Sequence, residues 1–215
     1  PAAPAHAAID VEAYACVRDV ETLDLWIARA RAVGVVAFDT ETDALSSASA
    51  NLCGVSLAVA PGEACYIPVG HEHAGEGGLD FDEKPDLAQI PCEEVIARLK
   101  PLLEDPAVLK VAQNAKYDMA VLTRYGIDVA PIEDTMLLSF VLEAGLHNHG
   151  MDELSKLWLG HEPIKFKTVA GIGKAQKSFK HVELKEATCY AAEDSDVTLR
   201  LYEHLKPRLA HEGLA

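Results

Sequence analysis

The chain contains no run of 18 consecutive apolar residues, so no stretch is long enough to cross a bilayer as a helix. Its five cysteines (Cys16, Cys53, Cys65, Cys92, Cys189) are odd in number, widely spaced and without a C-x-x-C pair. That excludes a zinc ribbon and argues against a disulfide framework; the cysteines read as small core residues of a protein in a reducing cytoplasm. The first residues, Pro-Ala-Ala-Pro-Ala-His-Ala-Ala, lack the basic and apolar regions of a secretion signal and an initiator Met. Residues 1–9 are therefore expected to be linker, and residues 10–215 one domain cut from something larger. Bases are also scarce: 19 Lys and Arg face 34 Asp and Glu, for a net charge of −15. Taken alone, this argues against a nucleic-acid binder, because phosphate neutralisation normally supplies most of the affinity.

What is present qualifies that last exclusion. Lys165, Lys167, Lys174, Lys177, Lys180 and Lys185 fall in one segment whose single acid is Glu183. A cationic segment on an acidic body can meet a polyanion, although a solvated loop explains it equally well. Apolar residues make up 49% of the chain, enough for a sizeable core.

The pattern along the chain is βα, then three strands, then alternating helices and strands, and a long closing helix. Ala13–Val17 reads as a short strand, Val20–Ala32 as a helix closed by Gly34, and Val35–Glu41 as a strand. Leu52–Ala60 and Ala64–Val69, joined at Pro61-Gly62, continue an antiparallel meander. His71–Asp86 reads as a solvated surface loop, and Glu93–Leu103 as a helix opened by Pro91. Val108–Ala112 is a strand, Asn114–Tyr125 a helix, Ile132 the end of a further strand, and Asp134–Leu142 and Met151–Leu159 helices. Glu186–His211 closes the chain as a long helix. The fold class expected is α/β, a mixed sheet flanked by helices.

Within the Val35 strand lie Asp39 and Glu41, two residues apart and so on one face. A buried strand has no structural use for paired like charges, and their repulsion and desolvation would cost several kcal/mol without a cation. Asn114 and Asp118 are four apart, as are Tyr190 and Asp194, each pair suiting one side of a helix. Four carboxylates, Asp39, Glu41, Asp118 and Asp194, can thus converge with a phenol beside them. Such a set can hold two divalent cations, most naturally Mg²⁺ or Mn²⁺. Two ions about 3.5–4 Å apart suit in-line attack on a phosphodiester.

In order and context, Asp39-Thr40-Glu41-Thr42-Asp43, Gln113-Asn114-Ala115-Lys116-Tyr117-Asp118 and Tyr190-Ala191-Ala192-Glu193-Asp194 resemble the three motifs of the DEDD exonucleases, tyrosine subtype. More narrowly the chain resembles the 3′–5′ proofreading domain of bacterial family A DNA polymerases. Ser49–Leu52, Tyr66–Val69, Asp134–Met136 and Ala170–Lys174 extend the likeness to nearly the whole chain from about residue 12.

The resemblance implies a ribonuclease H-like fold with a five-stranded mixed sheet. It also implies two divalent metal ions, Mg²⁺ with Mn²⁺ or Zn²⁺ as alternatives. Asp39, Glu41 and Asp194 would ligate the ion holding the attacking water, Asp39 and Asp118 would serve the second, and Tyr190 would orient the water. A phenol with an ordinary pKa near 10 is a poor base at neutral pH, so orientation is the role assigned. Leu45 would wedge against the terminal base and Phe166 would stack on a neighbour. Gln113, Asn114 and Tyr117 would line the strand path; Thr40 and Lys174 would also contact substrate.

The implied partners are the single-stranded 3′ end of DNA, the nucleoside monophosphate released, and a polymerase domain in the parent chain, with the protein monomeric and cytoplasmic. Two other readings stand beside this one: a non-catalytic scaffold or DNA-binding module, and a ribonuclease D-like trimmer of RNA. All five motif residues are present, which favours the active enzyme. Asp43, Asp134, Asp152 and Asp196 are expected to cap or hydrogen-bond rather than ligate metal, and Trp26 and Trp158 to be core. His147-Asn148-His149 is set aside as a nuclease motif, and Gly171–Lys174 as a phosphate loop, since Ala175 stands where Ser or Thr is needed.

Overall fold

Asp19 starts the first helix, its carboxylate accepting the Thr22 N–H at 2.8 Å. That helix, α1 (Val20–Val33), ends where Gly34 turns to φ 78° and donates its N–H to Ala30. Alternating residues of the next strand then decide the architecture. In the computed structural model, which describes residues 8–73 and 87–214, β2 runs from Val35 to Thr42. Its Val36 and Phe38 enter the larger core cluster, with α1 and with α2 (Cys92–Leu103) and α3 (Lys116–Arg124). Ala37 faces the other way, into a cluster with Ala192 and Leu199 of α7 (Leu184–His211). Asp39 and Glu41 continue the Ala37 face.

The sheet order is β1-β4-β3-β2-β5-β6, with β1 at Ala15–Cys16, β3 at Leu52–Ala60, β4 at Glu63–Pro68, β5 at Leu109–Ala112 and β6 at Ile132–Asp134. β2, β3 and β4 form the expected antiparallel meander; β5, β6 and β1 join parallel to their neighbours. The sheet has six strands, not the five implied by resemblance. The addition is β1, two residues at the edge paired with Cys65 and Tyr66, which fall within the short strand expected over Ala13–Val17. The mixed α/β expectation holds.

Small residues set how close α7 lies. Ala37, Ala58, Ala64, Ala187, Ala191 and Ala192 are all buried between the helix and the sheet, and Ser56 and Ser195 share a 2.6 Å hydroxyl hydrogen bond across that contact. On the opposite face, fully buried Phe38, Leu23 and Leu57 each contribute about 2 kcal/mol by burial. α4 (Thr135–Glu143) packs on α7 through Leu138 and Leu142. α5 (Met151–Leu154) runs on into a π-helical turn, Ser155–Leu159, where one continuous helix is expected; Gly160, at φ 65°, closes it. Ile9 packs against two clusters, so the ordered chain reaches into the expected linker. The expected loop from His71 to Asp86 falls largely outside the described residues, but His71 is buried at 4% exposure instead of solvated. No described cysteine is paired.

Candidate active site

Asp39 and Glu41 stand on the α7 side of β2, and α7 brings Asp194 onto them. One carboxylate oxygen from each of the three lies within 4.8 Å of the others. This triad forms the floor of a cleft of about 540 Å³. One wall carries Phe166, which opens α6 (Phe166–Ala170), with Tyr190 and Phe179; the other carries Tyr117 and, at its lip, the 96% exposed Leu45.

Asp118 arrives by a different route. β5 pairs with β2 only as far as Ala37, and beyond that point the Thr40 N–H donates to Asp118 Oδ1 at 3.0 Å. The Thr40 hydroxyl donates to the same oxygen at 2.5 Å. Asp118 is thereby buried behind Thr40, at 3% exposure, and is not among the residues lining the cleft. Thr40 lines the cleft, while its N–H and hydroxyl are both taken up by the Asp118 carboxylate.

Four acids crowded in one place shift one another. Burial first, then the charges of Asp118, Glu41 and Asp194, holds the Asp39 carboxyl well above the usual carboxylate range. Burial also raises Glu41, helped by Asp194 and Asp118. For Asp194, burial and the charge of Glu193 raise the pKa, while the hydrogen bond from Tyr190 opposes them. Burial brings Asp118 to about 6, with the Thr40 hydrogen bonds holding it from going higher. Burial and the adjacent carboxylates push the Tyr190 phenol above its ordinary value. The site strongly favours positive charge among its oxygens, through either a proton or a cation. With only oxygen donors and no Cys or His in the triad, the donor set fits a hard divalent cation.

Two sequence-derived candidates lie elsewhere. Gln113 is buried, its amide donating to the His149 carbonyl at 2.9 Å and accepting from Thr135, so it does not line the cleft. Asn114 is not on a helical face with Asp118: it sits before α3 at φ 60°. Asp134 accepts both the Asn114 and Ala115 N–H groups, at 3.0 and 2.9 Å, and so fastens this turn; Asn tolerates it better than most residues. Asp134 also caps α4 through Met136 N–H. Asp43 holds Asn51, and Asp196 accepts from Tyr14, Gly62 and Arg200, so the acids read as non-ligands do bond within the fold. Asp152 pairs with Lys165.

The lysine-rich segment is less cationic in place than in sequence. Lys165, Lys180 and Lys185 pair with Asp152, Glu72 and Glu12 at 2.7–2.9 Å. Lys177 lines the cleft. The Lys174 side chain lies outside the described residues. Ser178 ties the segment to the opposite lip by donating to the Asp43 carbonyl at 3.0 Å, and the Tyr117 hydroxyl donates to the Ala44 carbonyl at 3.0 Å. Ser178 and Phe179 belong to no motif and are invisible to spacing, whereas Tyr117 lies within the Gln113–Asp118 motif and lines the cleft as expected.

Comparison with known proteins agrees with this geometry. The 3′–5′ exonuclease family matches residues 14–210. The chain is 53% identical over 214 residues to DNA polymerase I of Rhizobium leguminosarum, covering 95% of this chain and 21% of that one. It is 40% identical to DNA polymerase I of Pseudomonas aeruginosa, covering 96% and 22%. The chain thus spans about a fifth of the length of these relatives. Among solved structures, Brucella melitensis NrnC bound to pGG superposes with a TM-score of 0.64 at 25% identity, covering 94% of this chain and 83% of that one. The fold is that of the ribonuclease H-like exonucleases, and the chain belongs to the 3′–5′ exonuclease domain family of bacterial DNA polymerase I.

Proposed function

We propose that this domain is a metal-dependent exonuclease that removes nucleoside monophosphates from the 3′ end of single-stranded DNA, proofreading for a polymerase domain in its parent chain. The observation that carries the reading is the convergence of Asp39, Glu41 and Asp194 on the floor of a cleft walled by Tyr190 and Phe166. Asp39, Glu41 and Asp194 would hold one divalent cation and Asp39 would reach a second, with Asp118, behind Thr40, adding its negative charge from outside the cleft lining. Bound there, Mg²⁺ or Mn²⁺ supplies Lewis acidity to water and to the scissile phosphate.

The chain's own groups do the rest. Tyr190 keeps its proton, because burial and three nearby carboxylates oppose a phenolate; its hydroxyl is hydrogen-bonded to Asp194. It therefore orients an attacking water as a hydrogen-bonding group and does not remove a proton. Phe166 offers a ring for stacking and Leu45 an exposed wedge, contacts that read no base edge and so accept any nucleotide. Lys177 places one positive charge beside the path of the phosphates.

Digestion of 5′-labelled single-stranded DNA with Mg²⁺ or Mn²⁺, beside Asp39→Ala and EDTA controls, tests this. A ladder shortening from the 3′ end only in the metal-containing wild type is expected. No shortening with either metal at high protein concentration would leave the scaffold reading. NrnC, in its structure, is bound to pGG, and the ribonuclease D-like trimmer of RNA is the alternative nuclease reading. RNA of the same sequence, run in parallel, decides between the two nucleases by which is shortened faster.

A further inference from the structure

Behind the cleft wall, one buried histidine is bonded on every side. His71 follows β4 and is 4% exposed. Its Nδ1 lies 3.1 Å from the Val182 carbonyl, which can only accept, so Nδ1 carries the proton and donates. Nε2 is then the acceptor for the Tyr66 hydroxyl at 2.8 Å. The Gln89 side chain clamps the His71 backbone from both ends, accepting its N–H at 2.8 Å and donating to its carbonyl at 3.0 Å. The next residue continues the lacing: Glu72 N–H donates to the Lys180 carbonyl at 2.8 Å and its carboxylate pairs with Lys180 at 2.9 Å.

These bonds converge on Phe179, which is 1% exposed. Its ring centroid is 5.7 Å from that of His71 and 6.4 Å from that of Tyr66. On its other side it lies 6.3 Å from Phe166, nearly parallel at 20°, and 5.8 Å from Tyr190. All four separations fall in the range of favourable aromatic pairs. Phe179 is therefore the hub between a support outside the site and the two rings that wall the cleft. The support is also tied to the metal-binding strand: the Tyr66 ring fills the place a Cβ would take on Gly54, the residue paired with Glu41.

We propose that His71 is a positioning residue for the exonuclease reaction, fixing Phe179 and through it the Phe166–Tyr190 wall. The proposal rests on the function assigned above to that cleft. A histidine suits the place because one rigid ring presents a donor and an acceptor on opposite sides while packing edge-on against Phe179. An aliphatic residue would leave the Tyr66 hydroxyl and the Val182 carbonyl buried and unpaired.

The test compares His71→Ala, His71→Gln, Phe179→Leu and the His71→Ala/Phe179→Leu double variant in the full 215-residue chain. Each single loss should lower kcat/KM on single-stranded oligothymidylate about tenfold, the order expected when a reacting group shifts by a fraction of an ångström. His71→Gln, which can still donate and accept, should recover most of it. Mn²⁺ affinity by calorimetry should stay within twofold in every variant. The double variant should cost no more than the worse single; losses that multiply to about a hundredfold would overturn a path through Phe179. Aromatic NMR resonances of Phe166 and Tyr190 should shift in His71→Ala while those of Tyr117, on the far wall, stay put. Unshifted Phe166 and Tyr190 rings would overturn the proposal whatever the activity. Shifted rings in a protein whose wild type degrades nothing would uphold the positioning and reject only the assigned function. Should His71→Ala not fold, Tyr66→Phe removes only the hydroxyl partner and should shift the same two rings; no shift overturns the proposal.

Discussion

Asp118→Asn should make the metal-free protein more stable at neutral pH while removing its activity. The Asp118 carboxyl sits near pKa 6 in the fold against an ordinary 3.8. A raised pKa means that the folded state disfavours the charged form. Above about pH 6 the difference of about two units costs roughly 3 kcal/mol of stability. The cost shrinks as pH falls, to about half near pH 5, and is gone below about pH 4, where both states are protonated. An asparagine keeps a carbonyl oxygen to accept from the Thr40 N–H and hydroxyl, which in wild type donate to Asp118 at 3.0 and 2.5 Å. It gives up the extra strength of bonds to a charged acceptor, about 1 kcal/mol. The net expectation is a gain of about 2 kcal/mol in EDTA at pH 7.5, with relief of Asp39, for which Asp118 is the largest charge neighbour, adding to it.

Urea unfolding followed by circular dichroism, at pH 7.5 and pH 4 with EDTA, reads this directly. The variant should lead at pH 7.5 and lose its lead at pH 4, with the slope against urea unchanged. In saturating Mg²⁺ the order should reverse, since wild type gains binding energy that the variant lacks. A variant that is less stable in EDTA at pH 7.5, or whose advantage persists undiminished at pH 4, would refute the account of Asp118 as a charge stored for a cation.

Metal addition itself should raise the melting temperature of wild type: at a hundred times Kd, linkage supplies about 2.7 kcal/mol, and Asp39→Ala should abolish the rise in a thermal scan. Gly54→Ala places a Cβ 2.3 Å from the buried Tyr66 ring, so a loss of about 1–3 kcal/mol or more is expected in urea. His71, held to a pKa of about 4 by burial, should contribute acid sensitivity: the unfolded chain takes up its proton below about 6.5 while the fold refuses it. Wild type should therefore lose up to about 3 kcal/mol relative to His71→Gln between pH 6.5 and 4, and nothing above 6.5, as measured by paired urea titrations. Phe166→Ala should raise KM for single-stranded DNA about five- to a hundredfold with a smaller change in kcat, corresponding to about 1–3 kcal/mol of stacking.

How far the sequence carried depends on how local each cause is. The period of β2 is local, and it placed Asp39 and Glu41 on one face correctly; the same alternation put Val36 and Phe38 into the opposite core. The Tyr190–Asp194 spacing worked because α7 is regular through that stretch. The identical argument failed at Asn114 and Asp118, where spacing of four assumed a helix that starts only at Lys116. What breaks it is Asp134, 20 residues further on, whose carboxylate takes the two N–H groups at the turn. His71 was misread for the same reason: its neighbours in sequence are polar, whereas its bonding partners are Val182 and Tyr66 and its packing partner is Phe179. Gln113 likewise has its amide consumed by His149 and Thr135. Residues answering to their own strand or helix were legible. Those answering to a partner dozens of residues away were not, and the cleft walls, unlike its acidic floor, are built mostly from the second kind.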